Sequence, residues 1–290
     1  MNSVCNSPSV VGSYRAELGE TPVWCWCSQS LLWVDILRGC LLRYWPEQEG
    51  RMDIHPMPTF TSAVLLTDQS ETFLVVSQCG IQIYDYTNRR FAPFHPWPER
   101  DTRPNEAAIA PDGALWFSTM APNADRAIGS LYRLDPRTAE LQRLLMAQWV
   151  PNTLLWADHH LWFADSLRQM FYRATFDGCV LNIAQHYPMD GIPDGSTLTC
   201  ENQLINARWG AYCLVRYKLL NNEMHELERV RVPVRQPSSC TFGGPELNEL
   251  YITSARCALA RPDAMDGALL KMATTLTGTP ASQFRLKNYP

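Results

Sequence analysis

The 290-residue chain contains no long apolar run. No stretch free of Asp, Glu, Lys and Arg exceeds 14 residues, whereas a membrane-spanning helix takes about 20 apolar residues. A membrane is therefore not an expected partner. No basic block is present either: 25 Lys and Arg against 29 Asp and Glu leave a net charge of −4. The electrostatic footprint of a nucleic-acid binder is missing. No Cys-x-x-Cys pair occurs, and the ten cysteines are scattered from Cys5 to Cys257. That is too sparse for a disulfide scaffold and is read as a set of reduced, mostly buried thiols. The six histidines lack metal-ligand spacing, and the absence of Gly-x-Ser-x-Gly removes the usual start of a Ser/His/Asp hydrolase. Met1-Asn2-Ser3-Val4-Cys5 has neither the charge nor the apolar run of a secretory signal, so a cytoplasmic location is expected.

Helical periodicity with capping signals is nearly absent, but internal repetition is not. A short apolar run ending in a small or acidic residue recurs around Trp33, Leu74, Trp116, Trp162, Ile205 and Tyr251, at steps of 41, 42, 46, 43 and 46 residues. A second alternating run follows five of them, as in Leu41-Leu42-Arg43-Tyr44-Trp45 and Ser130-Leu131-Tyr132-Arg133-Leu134. This two-residue period marks half-buried strands. Turn clusters such as Pro111-Asp112-Gly113 separate the runs.

Six repeats of 40 to 50 residues, each made of several short strands, predict an all-β six-bladed β-propeller with four antiparallel strands per blade. Residues 1–290 are read as one such domain. The N-terminal strand is expected to join the C-terminal strands, where Gly267-Ala268-Leu269-Leu270-Lys271-Met272 reads as a late strand, and so close the ring. Four repeats place an oxygen-bearing side chain 10 to 13 residues before the anchor: Glu20, Asn105, Asn152 and Asp194. Glu20, Asn152 and Asp194 together offer two carboxylates and an amide oxygen. That set suits one divalent metal ion, Ca²⁺, Mg²⁺ or Mn²⁺, with Zn²⁺ possible.

Gly19-Glu20-Thr21-Pro22-Val23-Trp24, Leu32-Trp33-Val34-Asp35-Ile36, Arg103-Pro104-Asn105-Glu106, Leu115-Trp116-Phe117-Ser118-Thr119-Met120, Gly129-Ser130-Leu131-Tyr132, Phe163-Ala164-Asp165-Ser166, Ile192-Pro193-Asp194-Gly195, Phe242-Gly243-Gly244 and Tyr251-Ile252-Thr253-Ser254-Ala255 resemble the senescence-marker/gluconolactonase family, the regucalcin-like sugar lactonases. The resemblance covers about residues 15 to 275. It implies the same six-bladed propeller, with Glu20, Asn152 and Asp194 as divalent-metal ligands and Arg103 and Asn105 as sugar-binding residues. Glu106 is taken with them as a substrate-binding position. The implied activity is hydrolysis of an aldonolactone to the aldonic acid, with the metal polarising the carbonyl and Asp194 as general base. The implied partner is a small-molecule sugar lactone, and the implied assembly a monomer or small homo-oligomer.

Three departures from the family pattern stand out. Glu106 replaces the usual Asp and is one methylene longer. Thr153 replaces the usual Gly after the third ligand, and Thr avoids positive φ. Ala121-Pro122-Asn123 stands where some relatives carry an acidic substrate contact, which favours a negatively charged sugar lactone. Two alternatives remain open: a metal- or sugar-binding propeller without turnover, and a promiscuous esterase or organophosphate hydrolase. The aromatic anchors are expected to pack between blades, while Trp209 is a candidate for facing substrate.

Overall fold

The computed structural model describes residues 7–220 and 223–286, so residues 1–5, where no secretory signal was read, lie outside it. Twenty-four strands build six four-stranded antiparallel sheets, and no α-helix occurs among the described residues. The fold class is the six-bladed β-propeller. Contacts divide the chain into two compact units, residues 1–54 with 191–280 and residues 55–190 with 281–290.

In the first unit, one sheet runs β2 (Gly19–Cys25), β3 (Ser30–Asp35), β4 (Cys40–Trp45) and β5 (Arg51–Pro56). A second runs β18 (Ile192–Leu198), β19 (Gln203–Trp209), β20 (Cys213–Leu220) and β21 (Glu223–Arg231). The third joins both chain ends in the order β1 (Ser9–Val11), β24 (Leu269–Ala273), β23 (Glu249–Ala255) and β22 (Gln236–Gly243). The N-terminal addition is Ser9–Val11, paired with Leu269–Lys271. Further along the chain, Leu18 forms an isolated bridge to Ala255 of the same sheet.

In the second unit, the sheets are β6 (Ala63–Leu66) to β9 (Arg90–His95), β10 (Arg103–Ile109) to β13 (Leu141–Gln148), and β14 (Pro151–Ala157) to β17 (Leu181–Pro188). Phe284 returns to this unit, bonding to the Leu66 carbonyl and packing at 0% exposure beside Phe94.

Position within the sheet explains the sequence pattern. The second strand of each sheet is buried on both faces, so β3 and β11 (Leu115–Met120) are buried at every residue and read as unbroken apolar runs. The outer strands β17 and β21 are largely exposed. The anchors Trp33, Trp116, Trp162 and Tyr251 are at most 3% exposed; Trp33 and Tyr251 pack between neighbouring sheets in one cluster and Trp116 in another, while Trp162 stacks on Tyr187 of its own sheet. Trp24 stacks on Tyr251 with centroids 5.8 Å apart. A Cβ on Gly243 would lie 2.7 Å from Trp24 and 2.8 Å from Tyr251, so glycine is what allows that stack.

The cysteine expectation needs correction. All nine described cysteines are free, as expected, but only Cys213 and Cys240 are buried. Most of the others sit in turns and at strand ends, where the sequence around them is polar, and are exposed or half-buried.

Candidate active site

The first strand of each sheet carries the candidate residues, and five of the six contain a β-bulge. The register slips between Glu20 and Val23, Pro104 and Ala107, Asn152 and Leu155, Pro193 and Ser196, and Pro237 and Ser239. β6 pairs with β7 (Thr72–Ser77) with no slip, and the second repeat is also one that offered no candidate. A bulge frees residues from the ladder and turns their side chains and carbonyls out of the pleat, a device common beside active sites. Each candidate directly follows a Gly or Pro, but the register differs: Glu20 and Asn152 are the last paired residues before the slip, whereas Asn105 and Asp194 lie within it.

In the second unit the sequence-predicted residues meet. The Arg103 guanidinium donates to Asn105 Oδ1 at 3.1 Å and to the Pro104 carbonyl at 2.9 Å, and its carbon lies 5.9 Å from the Phe60 ring centroid. Asn105 Nδ2 donates to Asn152 Oδ1 and to the Pro151 carbonyl, both at 3.1 Å, and Asn152 Nδ2 donates to Ser166 Oγ at 2.8 Å. The chain Arg103 to Asn105 to Asn152 to Ser166 fixes which end of each amide points where. It leaves the Asn152 oxygen facing away from Ser166 with one lone pair beyond the Asn105 contact.

Thr153 corrects the sequence expectation: it adopts φ 53°, in the left-handed region. The cost of that conformation is offset by its surroundings. Thr153 is 1% exposed, and its N–H donates to Glu106 Oε2 at 3.3 Å. Glu106 Oε1 takes the Ala107 N–H at 3.0 Å. The longer side chain thus braces the backbone beside Asn152. Burial pushes the Glu106 carboxyl up to about 7, against the lowering effect of those two N–H donors.

A stability prediction follows. Between about 4.5 and about 7 the folded chain holds a proton on Glu106 that the unfolded chain has released, so this contribution is full at low pH and is lost as pH rises through 7. In chelator, denaturant titrations are expected to show wild type losing on the order of 3 kcal/mol relative to Glu106→Gln between pH 4.5 and pH 8. Parallel pH profiles for the two proteins would contradict it.

In the first unit, Glu20 (8% exposed) and Asp194 (5%) sit in the bulges of β2 and β18. Glu20 Oε2 accepts the N–H of Thr21, which has φ 44°. The Asp194 and Gly195 carbonyls both accept from Asn206 Nδ2, at 2.7 and 3.3 Å. A Cβ on Gly195 would fall on the Ser239 side chain and 3.0 Å from the Ser238 carbonyl. Among the described residues, no group of three or more His, Cys, Asp or Glu is placed to hold a metal. The candidate donors are two carboxylates and an amide oxygen, which is outside that description. Trp209 is half-buried at the end of β19.

Sequence reading missed the residues that hold these bulges. Ser118 Oγ accepts the Glu106 N–H and donates to the Pro151 carbonyl, both at 3.0 Å, and Ser238 Oγ donates to the Gly19 carbonyl. Each therefore ties down the carbonyl just before a candidate ligand. Two fully buried aspartates act one step further upstream. Asp35 accepts the Glu17 and Leu18 N–H groups at 2.9 and 3.2 Å, and Asp165 accepts those of Trp149 and Val150 at 2.9 and 3.3 Å. In the sheet of β10 the carboxylate comes from the loop instead: Glu99 takes the hydroxyls of Thr119, Ser130 and Tyr132, each at 2.7 Å, and so anchors the approach to Arg103. The signal available was the repeated Asp-x-x-Arg of Asp35-Ile36-Leu37-Arg38 and Asp165-Ser166-Leu167-Arg168.

A propeller whose inner bulges display buried carboxylates, amides and an arginine defines a class of small-molecule site, and comparison with known proteins places the chain within that class. Residues 18–256 match the SMP-30/Gluconolactonase/LRE-like region, and the chain belongs to that family. It is 31% identical over 264 residues to the L-arabinolactonase of Azospirillum brasilense, covering 87% of this chain and 85% of that one. It is also 31% identical over 252 residues to a pentonolactonase of Haloferax volcanii, covering 82% of each. The crystal structure of a calcium-binding regucalcin from Agrobacterium tumefaciens has the same fold, with TM-score 0.87 and 24% identity over 97% of this chain and 98% of that one.

Proposed function

We propose that this chain is a divalent-ion-dependent sugar lactonase that opens an aldonolactone to the aldonic acid. The observation that carries the reading is the hydrogen-bonded chain from Arg103 through Asn105 and Asn152 to Ser166, in a protein whose relatives include an arabinolactonase and a pentonolactonase. Glu20, Asn152 and Asp194 would hold the ion. The donor set fits, because it consists of hard oxygens with a formal charge of −2 and the Asn152 amide nitrogen is turned to Ser166, which leaves its oxygen as the acceptor end. A regucalcin of this fold is a calcium-binding protein, which supports a divalent ion without choosing among Ca²⁺, Mg²⁺, Mn²⁺ and Zn²⁺. The ion would supply Lewis acidity toward the lactone carbonyl and toward water.

The remaining work falls to side chains. Arg103, with its fixed fork of donors, binds oxygens of the sugar, and Asn105 both donates and accepts, as polyol recognition requires. Asp194 takes a proton from the attacking water as the new C–O bond forms at the carbonyl carbon. The ring C–O bond breaks, and the proton passes to the departing ring oxygen, leaving hydroxyl and carboxylic acid on one open chain. Glu106, whose carboxyl accepts the Ala107 and Thr153 N–H groups, holds the backbone beside Asn152 at the edge of the proposed sugar site.

The test is hydrolysis of a panel of aldonolactones, neutral and negatively charged, by chelated protein with each ion added back. Metal-stimulated acid release is the expected outcome, largest for negatively charged lactones because the uncharged stretch Ala121-Pro122-Asn123 stands where some relatives carry an acidic contact. Neutral pentonolactones turning over best would overturn that preference. Ion binding without release above the spontaneous rate would replace the enzyme with a binding propeller. Greater kcat/KM for phosphotriesters than for any lactone would make it an organophosphate hydrolase.

A further inference from the structure

Asp194 sits at a point where the strand is not held by its own ladder. The β18 pairing with β19 breaks between Pro193 and Ser196, so Asp194 and Gly195 lie outside that ladder and a side chain supplies hydrogen bonds to their carbonyls. On one side Gly195 is pressed against Ser238 and Ser239 with no space for a Cβ. On the other lies Asn206, 0% exposed in the middle of β19. Its Nδ2 reaches three acceptors, the Asp194 carbonyl at 2.7 Å, the Gly195 carbonyl at 3.3 Å and Ser196 Oγ at 2.9 Å. Its own oxygen, equally buried, meets no hydrogen-bond partner among the described residues.

A buried amide with one end unsatisfied is a poor structural choice, since an apolar residue of the same shape avoids the cost. What an apolar residue cannot supply is a donor aimed at two consecutive bulge carbonyls. Holding those carbonyls fixes the rotation of the Asp194 Cα and therefore the direction of its carboxylate. Ser118 and Ser238 act in the same way on the carbonyls before Asn152 and Glu20.

We propose that Asn206 is a positioning residue for Asp194, setting the carboxylate for ion binding and proton transfer. This rests on the assignment of Asp194 as ligand and base. Outer groups that orient a metal ligand are typically worth about 10- to 100-fold in metal affinity, and that is the expected size of the effect.

The experiment compares wild type, Asn206→Leu and Asn206→Ala with Val215→Ala. Val215 is buried and pairs with Asn206 across the ladder from the side of β20, and it offers no hydrogen-bonding group to the bulge. Calorimetric titration of the chelated proteins with Ca²⁺ and Mn²⁺ is read alongside melting temperature and lactone kinetics. Both Asn206 variants are expected to bind the ions about tenfold or more weakly and to lose kcat with KM little changed. Val215→Ala should melt lower yet bind the ions as wild type does. Asn206→Ala decides the matter if the bulkier Leu does not fold, because it removes the amide and adds no volume. Wild-type ion affinity in a folded Asn206 variant, or an equal loss in Val215→Ala, overturns the proposal while leaving the assignment of Asp194 standing. A wild-type protein that binds neither ion removes that assignment and the proposal together.

Discussion

Asp194→Asn is expected to fold as wild type does and to lose about 10³-fold or more in kcat on the best aldonolactone, measured at saturating divalent ion. The fold survives because the substitution keeps side-chain shape and because Asn206 grips the backbone carbonyls of the bulge, which remain. Activity fails on two counts. An amide does not accept the proton of the attacking water, and its loss of charge removes one of two carboxylates from the proposed ion site. Glu20→Gln separates these effects. It removes the other carboxylate and leaves the proposed base, so its turnover should recover substantially as the ion concentration is raised, whereas that of Asp194→Asn should not. Turnover by Asp194→Asn within tenfold of wild type would remove this residue from the chemistry.

The residues that carry this prediction were visible in the sequence for a physical reason. Inner strands buried on both faces produce apolar runs that stand out against polar turns, and spacing the runs reveals six repeats. Once the repeats are aligned, an oxygen-bearing residue 10 to 13 residues before the anchor in four of them is conspicuous. What the alignment does not carry is the bulge. A register slip depends on how two strands oppose each other, and Pro193-Asp194-Gly195-Ser196 reads as a plain turn until β19 is laid beside it. Thr153 shows the same limit: its intrinsic preference argues against positive φ, and only the tertiary contact from Glu106 overrides it. Cysteine burial failed because composition reports how many thiols a chain has and not which ones lie in its turns. The supporting residues Ser118, Ser166 and Asn206 were missed because a single buried Ser or Asn in a strand has no pattern of its own.

The aspartate clamps did have a pattern, and removing one should produce a large structural effect. Asp165→Ala is expected to lower stability by about 3–5 kcal/mol, or the melting temperature by about 10 °C in a chain of this size. Asp165 is fully buried and accepts the Trp149, Val150 and Arg168 N–H groups, with the Arg168 guanidinium 3.5 Å away. Alanine leaves the part-buried N–H groups of Trp149 and Val150 without that acceptor, and each costs about 1–3 kcal/mol when nothing replaces it. Arg168→Ala is the control: its side chain is 37% exposed, so its partnership with Asp165 is screened by solvent and the melting shift should be small. Asp35→Ala should match Asp165→Ala, because Asp35 takes the Tyr14 hydroxyl and the Glu17, Leu18 and Arg38 N–H groups in the same arrangement. In the sheet of β18 the corresponding place, opposite Pro193, holds Arg208, which donates to the Tyr217 hydroxyl. A cation accepts no N–H, and in that sheet the buried Asn206 amide acts on the other kind of backbone group, donating to the Asp194 and Gly195 carbonyls. Of the three strands that carry the proposed ligands, β2 and β14 are thus braced by a buried carboxylate and β18 is not, and thermal scans of Asp35→Ala and Asp165→Ala decide whether the carboxylate brace is essential. Shifts below about 3 °C in both would mean that the strands hold their bulges without it.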